Sequence, residues 1–365
     1  MYRNENWEAA KTRYNMWWEQ ADTDRPVLRV CAPKEGARRK VLFHEHPSKE
    51  KWHDPEYMVA AQKDAIACTY FGGEAFGWFF PNLGTDMFNA FLGADIQYTE
   101  FAAGHPPWEY TAWTKPFVED WANHSFFFDA ENEMFKRALR LVNLALDEAN
   151  DEYIVGFPDI IGGIDCLSAM RGAENFCLDL FDCPDAVKEK IADVRGIFKE
   201  VYNRLHHLLH SRQGCAPATI PLWHRGRYFT NINDFTYNIS PELYKEFVLP
   251  DLIDEMNFLD ASVYHLDGPG ALCHLDLLLS LPELNAIQWT PGAGNEGAAK
   301  WMPLYKKIQE AGKSVYMYCA TNELELVLNE LSPNGLLIDM YCESESDARG
   351  VVEMASEISF KKGYY

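Results

Sequence analysis

The sequence has no pair of cysteines at C-x-x-C spacing, although nine cysteines are scattered from Cys31 to Cys342. That excludes a zinc ribbon and a thioredoxin-type redox pair. An odd, dispersed set predicts free thiols packed as small hydrophobes in a reducing compartment. No apolar run approaches the ~18 residues that cross a bilayer, so no membrane association through a span is expected. Basic residues are scarce: 33 Lys and Arg stand against 55 Asp and Glu, for a formal charge of −22. Nucleic acid is excluded as a partner on that balance, because phosphate binding needs clustered cations. The opening MYRNENWEAAKTRYNMWWEQ is charged and aromatic and lacks a secretory pattern, so a cytoplasmic location is expected. No G-x-G-x-x-G follows the first apolar strand, which sets an open dinucleotide-binding sheet behind other parallel-sheet folds.

What is present is a rhythm. The chain of 365 residues is 47% hydrophobic and 24% charged, ordinary for a globular protein with a large core. Glu5 to Glu19 has aromatic residues at helical spacing, and Asp54-Pro55-Glu56 opens a helix expected to run to about Phe71. Helices are also predicted from Ala130 to Asn150 and from Pro184 to Ser211, and Ser240-Pro241-Glu242 caps another. Between them, strands are expected to start at Val27, Ala75, Tyr153, Ala218, Val263, Ala286, Ser314 and Leu336. Alternating strands and helices imply a parallel sheet, and eight such units fit a closed (β/α)8 TIM barrel. The predicted organisation is one α/β domain over residues 1–365. Residues 1–26 form an N-terminal helical extension, and the aromatic, Gly- and Pro-rich stretch 84–130 is a loop insertion and lid candidate.

The chemistry concentrates in Ser262 to Trp289. Val263-Tyr264-His265-Leu266-Asp267 alternates as a half-buried strand, so His265 and Asp267 share a face. Gly268-Pro269-Gly270 then breaks the strand. Active sites of barrels lie at the carboxyl ends of strands. The expected ends supply Cys31, Asn82, Asp159, His224 with Arg225, His265 with Asp267, Gln288 with Trp289, Tyr318 with Cys319, and Cys342. His265, Asp267 and one of the two late cysteines, Cys319 or Cys342, would offer zinc N, O and S ligands with a fourth position open. His224 and Arg225 suit an anionic substrate group or a structural salt bridge, while Asp159, Gln288 and Trp289 suit a pocket lining. His206 and His210 sit at i, i+4 without the Glu of H-E-x-x-H and read as a solvated helix face; His44 and His46 read as a surface loop.

The run Val263-Tyr-His-Leu-Asp-Gly-Pro-Gly, with Ser240-Pro-Glu and EFVLP (246–250) before it, resembles the uroporphyrinogen decarboxylase superfamily. Within it, the chain is similar to the cobalamin-dependent methylcobamide:coenzyme M methyltransferase-like branch, from about Tyr153 to the C-terminus. The resemblance implies a (β/α)8 barrel that binds zinc through a H-x-C motif and a cysteine on the final strand. His265 falls on the histidine and Cys342 on the late cysteine; Asp267 stands where the family has its first cysteine. It further implies transfer of a methyl group between a corrinoid and a small thiol. No D-x-H-x-x-G motif is present, so the corrinoid (cobalamin) is expected on a partner protein. Two alternatives are a decarboxylase acting on a tetrapyrrole and a non-catalytic binder of small molecules. The first fits less well, since Leu28-Arg29-Val30-Cys31-Ala32-Pro33 keeps a single arginine. A homo-oligomer is left open.

Overall fold

Strands and helices alternate along most of the chain, for reasons visible in the local sequence. The computed structural model describes residues 6–41, 52–98 and 112–361. The strands are β1 (Val27–Pro33), β2 (Thr69–Gly73), β3 (Trp78–Phe79), β4 (Ile96–Tyr98), β5 (Ala112–Thr114), β6 (Ile154–Val155), β7 (Tyr228–Ile232), β8 (Ala261–Asp267), β9 (Ala286–Thr290), β10 (Ser314–Tyr318) and β11 (Leu336–Tyr341). The helices are α1 (Trp7–Glu19), α2 (Pro55–Ala67), α3 (Met87–Phe91), α4 (Glu133–Glu148), α5 (Gly163–Arg171), α6 (Ala173–Asp182), α7 (Pro184–Gln213), α8 (Leu249–Phe258), α9 (Leu275–Leu279), α10 (Met302–Glu310), α11 (Leu324–Glu330) and α12 (Glu345–Lys361). Side chains start several of them. Asp54 accepts from Tyr57 N at the start of α2, Asn132 from Met134 N and Phe135 N at the start of α4, and Ser240 from Leu243 N at the short helical turn Pro241–Leu243 ahead of α8, each satisfying an amide that lacks an intrahelical partner. No described helix is long and apolar enough to cross a membrane.

The central sheet has seven strands in the order β2-β1-β11-β10-β9-β8-β7. All its pairings are parallel except β1 with β2, which folds back antiparallel. This return explains why α2 ends at Ala67 rather than near Phe71: Thr69–Gly73 leaves the helix to cover the edge of β1. β3 and β6 form a separate parallel pair, shorter than the strands expected from Ala75 and Tyr153. Around residues 84–130, the described parts form α3 and an antiparallel β4–β5 ladder with Ile96 opposite Thr114. The rest of the lid candidate, 99–111, lies outside the described residues, as do His44 and His46.

One expected strand is absent. Ala218 to Trp223 is irregular, and the strand is Tyr228–Ile232 instead. Pro217 and Pro221 bracket the apolar run, and proline has no amide to donate to a ladder. The Pro217 carbonyl still accepts from Phe157 N at 2.8 Å, tying this segment to the residues after β6.

α1 seals the end of the sheet where the strands begin. Trp17 Nε1 donates to Val315 O at 3.2 Å, Ser314 Oγ to Trp17 O at 2.7 Å, and Trp18 Nε1 to Trp223 O at 3.0 Å. Tyr14, Trp17 and Trp18 are buried there. Behind them Glu74 accepts from Arg25 at 2.6 and 2.8 Å, from Arg13 at 3.1 Å and from Leu28 N at 2.9 Å. The opposite end, where the strands finish, is left to chemistry.

Candidate metal centre at the strand ends

Parallel register places side chains of paired residues on the same face. His265 pairs with Gln288, Gln288 with Tyr316, Tyr318 with Asp339, and Asp339 with Arg29. A polar stripe therefore crosses β8, β9, β10, β11 and β1. Its members are bonded to one another. Arg29 donates to Asp339 at 2.5 Å and to Tyr316 Oη at 3.0 Å, and the Tyr316 hydroxyl donates to Asp339. Burial raises the Tyr316 phenol well above its ordinary value, so it stays a donor; Asp339 and the other nearby charges keep the buried Arg29 guanidinium protonated. Farther along, Gln288 Nε2 donates to Tyr318 Oη at 2.9 Å, and Gln288 Oε1 accepts from His265 Nδ1.

That last bond decides the chemistry of His265. An amide oxygen only accepts, so the imidazole carries a proton on Nδ1, and Nε2 is the ring atom left to meet a ligand. Nε2 faces Asp234, whose Oδ1 is 4.0 Å away, and Asp267. The ligand atoms of Asp234, His265 and Asp267 all lie within 4.8 Å of one another. Three such atoms at this spacing can share a cation, either a proton or a metal. Tetrahedral zinc at ordinary bond lengths needs ligand atoms ~3–4 Å apart, within reach of small side-chain rotations. One nitrogen and two carboxylate oxygens are also a donor set that zinc accepts, so these residues fit the metal.

Asp234 stands in the turn that follows β7, and a second carboxylate fixes that turn. Asp165, in the first turn of α5, accepts from the backbone N of Asp234 and of Phe235, each at 2.8 Å. Burial and the nearby Asp234 push the Asp165 carboxyl up to about 7, against the lowering effect of those two amides. Asp234 itself is raised by partial desolvation, although its side chain is 57% exposed, and by Asp267, with His265 acting in the other direction. Asp159, beyond the end of β6, is 8% exposed, and its Oδ1 has no hydrogen-bond partner among the described residues. Burial, then the charges of Asp86 and Asp234, push it up to about 7. The side of the mouth formed after β3, β6, β7 and β8 is thus built from carboxylates.

The other expected site residues fall into two groups. Gln288 holds His265, and Asp159 lies among the acids just described. Trp289 alternates to the face opposite Gln288, is fully buried, and packs edge-on against Trp301 with centroids 4.7 Å apart. Cys342 follows β11 on the side of Ile338 and Met340, opposite Asp339; it is buried, with Thr321 Oγ1 3.9 Å from its sulfur. It is not in the Asp234–His265–Asp267 group, and Asp234 takes the third position expected of it. Cys319 likewise alternates away from Tyr318. His224 and Arg225 do not close a strand, because Ala218–Trp223 is not one. They precede β7 at the sealed end, where the His224 ring meets Trp18 at 5.5 Å and its Nδ1 accepts from Gly226 N at 3.0 Å. His206 and His210 stack on each other along α7, 5.2 Å apart.

Asp234 was missed because its strand was. No protein-family model matches the chain, and no curated protein matches it. The chemistry of the site must carry the function.

Proposed function

We propose that the protein is a zinc-dependent enzyme on a (β/α)8 barrel, and that it moves a methyl group from a corrinoid on a partner protein to a small thiol. The barrel is supported by the count of units: β1, β3, β6, β7, β8, β9, β10 and β11 are each followed by helical structure. The Phe157–Pro217 bond brings the β3–β6 pair toward the segment before β7. The metal is supported above all by His265, whose Nε2 is turned by Gln288 toward two carboxylates. His265, Asp234 and Asp267 would hold the ion, with Cys342 outside the set. Bound there, zinc supplies positive charge that lowers the pKa of a thiol at its open position.

The protein's own groups do the rest. Gln288 fixes the tautomer and plane of His265, and Tyr318 fixes Gln288. Asp165 holds the turn that carries Asp234. The decarboxylase alternative is disfavoured by charge: the acids after β6, β7 and β8 would repel the carboxylates of a tetrapyrrole, and Arg29 is committed to Asp339.

Metal analysis of the purified protein tests this first, beside His265→Ala and Asp234→Asn. Near-stoichiometric zinc in the parent and its loss in both variants are expected, followed by thiol-dependent demethylation of methylcobalamin. A parent that neither contains nor takes up zinc overturns the proposal, and His265 and Asp267 would then be polar groups of a pocket.

A further inference from the structure

Beside the metal ligands, past the ends of β9, β10 and β11, lies a cavity of about 540 Å³. Tyr318 and Asp339, both members of the polar stripe, form part of its wall. Its aromatic lining comes from Trp289, Tyr305, Tyr318 and Tyr341, and its charged lining from Glu296, Glu323 and Asp339. Among the described residues, no lysine, arginine or histidine lines it. Two of the aromatic side chains are open to a ligand: Tyr318 is 48% exposed and Tyr341 72%.

We infer that this cavity binds a small organic ammonium compound. The faces of Tyr318 and Tyr341 attract a cation through their quadrupoles, and an uncharged aliphatic group gains much less from them. Acid-only charge in the wall, on a chain of net charge −22, favours cations over anions before contact and after it. This site goes beyond the proposed transfer to a thiol and does not depend on it. Through Tyr318 the cavity adjoins Gln288 and His265, so an occupant lies next to the metal ligands without needing the metal to be held.

The test uses three molecules of one shape: choline, its neutral isostere 3,3-dimethylbutan-1-ol, and 3,3-dimethylbutyrate. Calorimetric titration is run on chelator-treated full-length protein, on Tyr341→Phe and on Tyr341→Ala. Choline is expected to bind at least tenfold more tightly than the neutral alcohol, and the anion to bind least. Tyr341→Phe should retain choline binding, while Tyr341→Ala weakens it about three- to thirtyfold. Equal binding of choline and the alcohol, tighter binding of the anion, or binding of none of the three would overturn the inference. Because the titration is metal-free, absence of zinc in the parent protein leaves its result unaffected, and the two failures are told apart.

Discussion

In the proposed metal site, His265 would act as a ligand because of Gln288. The amide oxygen accepts the Nδ1 hydrogen bond and leaves Nε2 toward Asp234 and Asp267. Gln288→Leu keeps the side chain's bulk and removes that acceptor, freeing the ring to take either tautomer. Zinc affinity, measured by competition with a chromophoric chelator, should fall about 10–100-fold with the fold intact by circular dichroism. Asp159 gives a second test, through pH. Its carboxyl is raised to about 7 in the folded protein from an ordinary 3.8, so the folded state holds a proton that the unfolded chain has lost. Its favourable contribution is complete below the unfolded value and is lost as pH rises toward 7. Asp159→Asn, which cannot ionise, should therefore gain stability relative to the parent between about pH 4 and pH 7. The gain is about 1.4 kcal/mol per pH unit within that window, and the difference is flat above it. Denaturant midpoints of the two proteins across pH 4–8 measure this. At this scale the sequence was readable where a strand imposed period two: His265 and Asp267 had to share a face. Asp234 sits on a turn, where no periodicity announces direction. The expectation that Cys342 joined the ligands came from a resemblance, and the alternation of β11 puts Asp339 on the face it needed.

Elements were legible where propensity and punctuation agreed. β8 to β11 and their helices fall almost where alternation and Gly-Pro turns put them. The failure at 218–232 is instructive: the run from Ala218 to Trp223 suggested a strand, but Pro217 just before it and Pro221 within it deny it the amides of a ladder. Tyr-Phe-Thr-Asn-Ile, β-branched and aromatic, is the better strand, and it moves His224 and Arg225 from the chemical end of the sheet to the sealed one. There α1 is fastened by a buried network around Glu74, with Arg13, Arg25 and the amide of Leu28. Glu74 is 4% exposed. Glu74→Ala leaves two guanidinium groups with less than their share of acceptors in a desolvated place. A loss of about 3–5 kcal/mol in unfolding free energy is expected. A loss below about 1 kcal/mol would mean that α1 is held by its tryptophans alone.

For the molecule as a whole, the dominant feature is separation of function between two ends of one sheet. The end sealed by α1 is aromatic and salt-bridged; the open end gathers Asp86, Asp159, Asp165, Asp234 and Asp267 against few cations. Such a mouth is destabilising when empty of positive charge, and the burial that raises Asp159 and Asp165 is the sign of it. Asp234 and the His265–Asp267 pair are brought together only by folding, being 31 residues apart at the closest in the chain (265 − 234). On the proposed reading, zinc would bind the native state and not the unfolded one at this site, and binding would be coupled to stability. At a free zinc concentration one hundred times the dissociation constant, the linkage amounts to about 2.7 kcal/mol. A rise of a few degrees in the thermal midpoint is expected on adding zinc to chelator-treated protein, saturating with concentration. Calcium at the same concentration should produce little of it, because a single imidazole with two carboxylates is a poor substitute for the six or more oxygens that ion takes. In Asp234→Asn the zinc-dependent rise should disappear while the metal-free midpoint stays level or increases, since one of the repelling charges is gone. An equal rise in parent and variant would assign the effect to general neutralisation of the acidic mouth, and the ligand set would have to be sought elsewhere in it.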